Sequence, residues 1–91
     1  MIICEVVGHV WATKKEDSLN GMKLMVVKQV DYYSKKQNPV FVAADVVGAG
    51  IGEKVLVVNG STARKAFGRD DVSIDAAIVG IIDSLEVEKS L

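Results

Sequence analysis

Glycines at every second position, Gly48, Gly50 and Gly52, are the first residues of this 91-residue chain whose spacing invites a chemical reading, because glycine-rich loops cradle phosphate. Such a loop works when a helix begins directly after it, so that unpaired N–H groups and the positive end of the helix dipole face the anion. Here Gly52 is followed by Glu53, a carboxylate that repels phosphate, and then by Lys54-Val55-Leu56-Val57-Val58, which is β-branched and too short for an amphipathic helix. A P-loop also needs Lys-Ser/Thr after its last glycine, and the dinucleotide fingerprint needs a different glycine spacing. The stretch reads as a turn between strands.

The other reactive residue types lack partners. One histidine, His9, and one cysteine, Cys4, make neither a cysteine-paired zinc site nor a Cys-His nucleophile, and they exclude an internal disulfide. Cys4 reads as a small buried hydrophobe, and a reducing cytoplasm fits best. Asp75 and Asp83 bracket the last apolar run; helix capping and loop hydrogen bonding account for them better than paired-carboxylate catalysis, for which no nucleophile or pocket is supplied. No catalytic, cofactor-binding or metal-ligating residue is assigned, and the chain reads as a non-enzyme. Asp45, Glu53 and Arg64 are charges set in apolar blocks, so an Arg64–carboxylate bridge across a subunit contact and an ordinary surface ion pair are both open. Trp11 and the Tyr32-Tyr33 pair suit interface anchoring, and equally packing in the core or at a barrel rim.

The elements that position these residues are short. Residues 2–13 form a β-branched strand with Glu5 and His9 on one alternation face and Gly8 on the other. A charged loop over 14–20 ends in the Asn20-Gly21 turn signal, with Leu19 a candidate buried anchor. Strand two covers 23–33, and residues 34–39 break it, with Pro39 excluding a central strand position. Strands three, 40–47, and four, 54–58, flank the glycine loop and suggest a hairpin. Ser61 or Thr62 caps a short helix through Phe67, ended by Gly68, and residues 72–85 read as one helical turn followed by strand five. Residues 86–91 are a charged tail. Five strands with one helix between the fourth and fifth predict a mainly all-β fold, a small closed or partly closed barrel of the OB type, since closure removes unpaired edges.

Composition agrees with one domain over 1–91. Apolar residues make up 49% but aromatics only 5%, an aliphatic excess that packs small barrels and flat contact surfaces and makes self-association plausible. A net charge of -1 leaves no basic footprint for nucleic acid or an anionic membrane, and no apolar run approaches the roughly 20 residues a membrane helix requires.

Three blocks, in order, carry a more specific signal. They are Val10-Trp11-Ala12-Thr13-Lys14 with Leu19-Asn20-Gly21-Met22-Lys23-Leu24; Ala44-Asp45-Val46-Val47-Gly48-Ala49-Gly50-Ile51-Gly52-Glu53-Lys54-Val55-Leu56 with Gly60-Ser61-Thr62-Ala63-Arg64; and Asp75-Ala76-Ala77-Ile78-Val79-Gly80-Ile81-Ile82-Asp83. Jointly they resemble the pentameric vertex proteins of bacterial microcompartment shells, the group that caps carboxysomes and the ethanolamine-, propanediol- and glycyl-radical-type compartments. Two departures are mild: Ser73-Ile74 stands where the family often has a proline, and Thr62 replaces a serine.

The resemblance implies a five-stranded barrel protomer and a homopentamer located in a microcompartment shell in the cytoplasm. It would have no cofactor, and its partners would be the hexameric shell proteins of the same compartment. Closed cyclic symmetry then needs a head-to-tail contact. Gly48, Ala49, Gly50 and Gly52, with Asp45, Glu53 and Arg64, are assigned to the pentamer interface or axial loop, where glycines let backbones approach; the alternative is that they only shape a hairpin. The competing function is an OB-type binding module for single-stranded nucleic acid or a small ligand, disfavoured by few aromatics and no positive balance.

Overall fold

The computed structural model describes residues 1–30, 38–69 and 71–88. Its elements are β1 (Ile2–Val10), a 3-10 turn (Asp17–Leu19), β2 (Lys23–Gln29), β3 (Val40–Asp45), β4 (Lys54–Asn59), α1 (Ser61–Ala66) and β5 (Ala76–Ile81). The strands close into a barrel in the order β1-β2-β3-β5-β4. The expected barrel with a helix between its fourth and fifth strands is what forms.

The connectivity corrects one expectation. β3 and β4 are consecutive and antiparallel-looking in sequence, yet they do not pair: β3 lies between β2 and β5, and β4 between β1 and β5. The loop between them crosses one end of the barrel instead of making a hairpin. β5 enters the gap so created, antiparallel to β4 but parallel to β3 through only Ala44↔Ala77 and Asp45↔Ile78. Nor does a helical turn precede β5. Asp75 instead offers its carbonyl oxygen to the Gly60 N–H at 2.8 Å, tying the entry of β5 to the end of β4.

Inside the barrel, alternation selects Cys4 and Val6 from β1, Met25 and Val27 from β2, Ala43 from β3, Val55 and Val57 from β4, and Ala76 and Ile78 from β5, all buried. A bulge shifts the register of β1 against β2 between Val6 and Gly8. It separates two polar residues expected on one face: Glu5 stands opposite Lys28, whereas His9 stands opposite buried Met25. β1 ends at Val10, and Trp11 beyond it is 88% exposed, its ring stacked on His9 with centroids 5.6 Å apart. The Tyr32-Tyr33 pair lies outside the described residues, as do the last residues of the strand expected over 23–33.

A second apolar cluster lies outside the barrel, over the short parallel seam. Ala44, Val58 and Ala77 meet Ala63 of α1 and Val72 and Ile74, with Leu19 and Phe67 packed alongside. Six residues of helix cannot stand alone in water; Ala63, fully buried, anchors these to the sheet. Gly60, at φ +66°, precedes the helix in the position expected for Ser61 or Thr62, and no side chain caps it. At the other end Gly68 turns at φ +68° and donates to the Lys65 carbonyl at 2.9 Å, the terminating glycine that the sequence predicts.

Burial pushes the Cys4 thiol up from its ordinary 9.0 to about 11. The folded chain therefore holds this proton longer than the unfolded chain does. That contribution to stability is complete below about 9 and is lost as pH rises towards about 11. The native protein at pH 8 is expected to resist iodoacetamide and to react stoichiometrically once denaturant exposes Cys4; mass spectrometry of the alkylated chain reads the difference.

Candidate functional site

The loop 46–53 is built around one carboxylate. Asp45 ends β3 with its side chain wholly buried. Its Oδ1 accepts from the N–H groups of Val47 at 2.9 Å and Gly48 at 3.0 Å, and its Oδ2 accepts from the N–H of Ala49 at 2.7 Å. Lys23, its register partner across β2–β3, brings Nζ to 3.7 Å from Oδ2 and donates to the Ala49 carbonyl at 2.9 Å. Charge-assisted bonds of this kind are about twice as strong as neutral ones, and here three amides and an ammonium converge on one anion. The bend takes Gly48 to φ +82°, a conformation that favours glycine, and it drops Ala49 into the barrel core at 0% exposure.

The second half of the loop is laced to β1. Gly50 N–H donates to Glu53 Oε1 at 2.7 Å, and Glu53 N–H returns to the Gly50 carbonyl at 3.2 Å. Gly52, at φ +92°, donates to the Val6 carbonyl at 2.8 Å, and Val6 N–H donates to the Glu53 carbonyl at 3.0 Å, beside the β1 bulge. The N–H groups a phosphate would need are thus already bonded inside the protein: those of Val47, Gly48 and Ala49 to Asp45, that of Gly50 to Glu53, that of Gly52 to Val6. What the loop turns outward is mostly aliphatic, Val46 and Val47 at 41% exposure and Ile51 at 60%, together with the exposed Glu53.

Six of the seven residues singled out from sequence therefore gather at this one end of the barrel: Asp45, Gly48, Ala49, Gly50, Gly52 and Glu53. Arg64 does not. It lies on α1, beyond the far end of β4, where its Nη1 donates to the Ile74 carbonyl at 3.4 Å. Lys23 is the residue sequence reasoning missed. Its signal lay in register, since only the β2–β3 pairing sets it against Asp45. A third polar arrangement also escaped the reading. Glu16 accepts from the Ser18 hydroxyl and N–H and from the Ser73 hydroxyl, which holds its carboxyl below the usual range, and it ties the 3-10 turn to the segment before β5.

Comparison with known proteins places this geometry. A family profile described as ethanolamine utilisation protein EutN/carboxysome matches residues 1–83. The carboxysome shell vertex protein CcmL of Synechocystis sp. is 45% identical over 87 residues, covering 96% of this chain and 87% of that protein. The structure of CcmL from Gloeobacter violaceus superposes with a TM-score of 0.88 at 39% identity, covering 97% of this chain and 91% of that one. The pentameric microcompartment shell protein GrpN from Rhodospirillum rubrum superposes with a TM-score of 0.85 at 41% identity, covering 97% and 100%.

Asp45→Asn replaces one acceptor oxygen by an NH2 group, so at least one loop amide loses its partner in a buried place. The expected cost is about 1–3 kcal/mol by urea denaturation. Hydrogen exchange should quicken at the Val47, Gly48 and Ala49 amides while the amide of core residue Val27 stays protected.

Proposed function

The chain belongs to the family described as ethanolamine utilisation protein EutN/carboxysome, and on that premise we propose that it is a structural shell protein, a homopentamer that caps the vertices of a bacterial microcompartment and resides in that shell in the cytoplasm. The observation that carries this reading is the near-complete overlap, in sequence and in backbone, with a pentameric shell protein. Residues 1–91 serve as one vertex domain. The role is geometric: the chain does no chemistry of its own, and its outer flanks meet the hexameric shell proteins of the same compartment.

A ring with an odd number of copies cannot be assembled from self-complementary contacts alone, so each protomer presents two different surfaces. The loop built by Asp45, Gly48, Ala49, Gly50, Gly52 and Glu53 is assigned to the axial end or to the contact between protomers. Its support is the aliphatic surface of Val46, Val47 and Ile51, held by a backbone whose Val47, Gly48, Ala49, Gly50 and Gly52 amides are bonded within the chain. Arg64 is assigned to a protomer contact through the donors that its bond to Ile74 does not use.

Native mass spectrometry tests the assembly directly: five copies of the 9.8 kDa chain are expected, and any other stoichiometry overturns the pentamer. Co-expression with hexameric shell proteins, followed by electron microscopy, tests the role. Closed shells are expected with this chain and open or elongated ones without it; regular closed shells in its absence count against a vertex cap.

A further inference from the structure

The exposed ring of Trp11 is a large apolar surface that the loop around Asp45 does not use. It is not isolated. Trp11 follows the last residue of β1, and its plane lies 25° from parallel with the His9 ring on which it stacks. The stack lines a cleft of about 320 Å³ at the loop end of the β1–β2 pair, where Val10 stands opposite Leu24. Val10, Met22 and Leu24 add apolar lining, and Lys15 and Lys23 add two cations. Among the described residues no carboxylate lines this cleft, so a chain of net charge -1 carries a local excess of positive charge here.

The two lysines differ in what they can offer. Lys23 is committed, with Nζ 3.7 Å from Asp45 Oδ2 and a bond to the Ala49 carbonyl. Lys15 donates once, to the Ala12 carbonyl at 3.1 Å, and an ammonium has three N–H groups to give. That bond holds its charge to the residue next to Trp11.

We propose that this cleft binds a small planar aromatic anion, one ring system bearing a carboxylate or a phosphate, with the ring on the Trp11–His9 stack and the anionic group on Lys15. Flat rings gain from offset stacking on an indole, and a charge-assisted bond from the ammonium fixes the orientation. The volume lies at the lower end of the roughly 300–1,000 Å³ usual for small-molecule sites, which suits one ring system better than a dinucleotide or a peptide. The amides of the glycine loop are bonded within the chain, whereas Lys15 keeps donors for an anion. Binding here does not depend on how many copies assemble.

Trp11 is the single tryptophan, so its fluorescence, excited apart from that of tyrosine, reads this cleft alone. The full chain in its native assembly is titrated with nicotinate and nicotinamide, which share a ring and differ in charge, and with adenosine monophosphate and inorganic phosphate, which carry the anion with and without a ring. Saturable quenching by nicotinate or adenosine monophosphate is expected, with nicotinamide and inorganic phosphate weaker by about tenfold or more. The tighter of the two ring anions tells carboxylate from phosphate. Lys15→Gln, at an exposed position, should keep the wild-type circular dichroism spectrum and weaken binding about tenfold. Lys14→Gln, adjacent but outside the lining, should leave the affinity unchanged. The proposal is overturned if neither ring anion quenches saturably at about 10 mM, if nicotinamide binds as tightly as nicotinate, or if Lys15→Gln binds like the wild type. A Trp11 emission already blue-shifted before any ligand is added, the mark of a ring covered by a second copy, also overturns it.

Discussion

The carboxylate of Asp45 is the constraint on which the rest of this structure depends. It stands at the last residue of β3, opposite Ile78, where the barrel is closed by a two-residue parallel contact. Three loop amides and the Lys23 ammonium converge on it, so the chain leaves β3, bends, and returns across the mouth of the barrel in one arrangement. β3 and β4 share no ladder, so the first half of the loop takes its path from this anchor and the second half from its bonds to β1. A buried charge is normally a liability. This one is compensated by donors from its own following residues, which is why an aspartate can sit beside the core at all.

Most of the architecture was legible because the signals were local. Asn20-Gly21 marks the turn before β2, Gly68 ends α1, and the β-branched runs around Val6, Val27 and Val57 lie where strands form. The errors arose where non-local pairing decided. Adjacent strands separated by glycines suggest a hairpin, but beside β2 the other partner that β3 takes is β5, more than thirty residues on. Strict alternation along β1 put Glu5 and His9 on one face, and a single bulge residue separated them. The candidate site shows the same division. Asp45 and Glu53 stood out as charges in apolar surroundings, while Lys23 looked like an ordinary strand-end lysine until register set it opposite Asp45. Arg64 stood out too, but α1 carries it to the far side of β4.

The glycine loop shows how a motif can be tested by counting donors. Its spacing matched a phosphate cradle in outline. A cradle, however, needs amides that the protein leaves open, and here they point inward to Asp45, Glu53 and Val6. The same residue types therefore yield a surface of exposed valine and isoleucine beside the Glu53 carboxylate, where an anion site would leave amide donors open. That distinction separates a loop that handles a ligand from one that handles copies of a shell subunit.

The seam between β3 and β5 has a consequence for how this sequence can drift. Ala44 and Ala77 face each other across it, and Ala63 of α1 settles over them, all three with almost no exposed surface. The fit is set by size and not by polarity: one methyl group from each of three separate segments. A larger side chain at any of the three lifts the helix from the sheet, and a glycine surrenders burial and adds backbone freedom. At these three positions the packing thus admits little change of size in either direction, whereas an exposed valine such as Val40 has no neighbour on its outer side to set its volume.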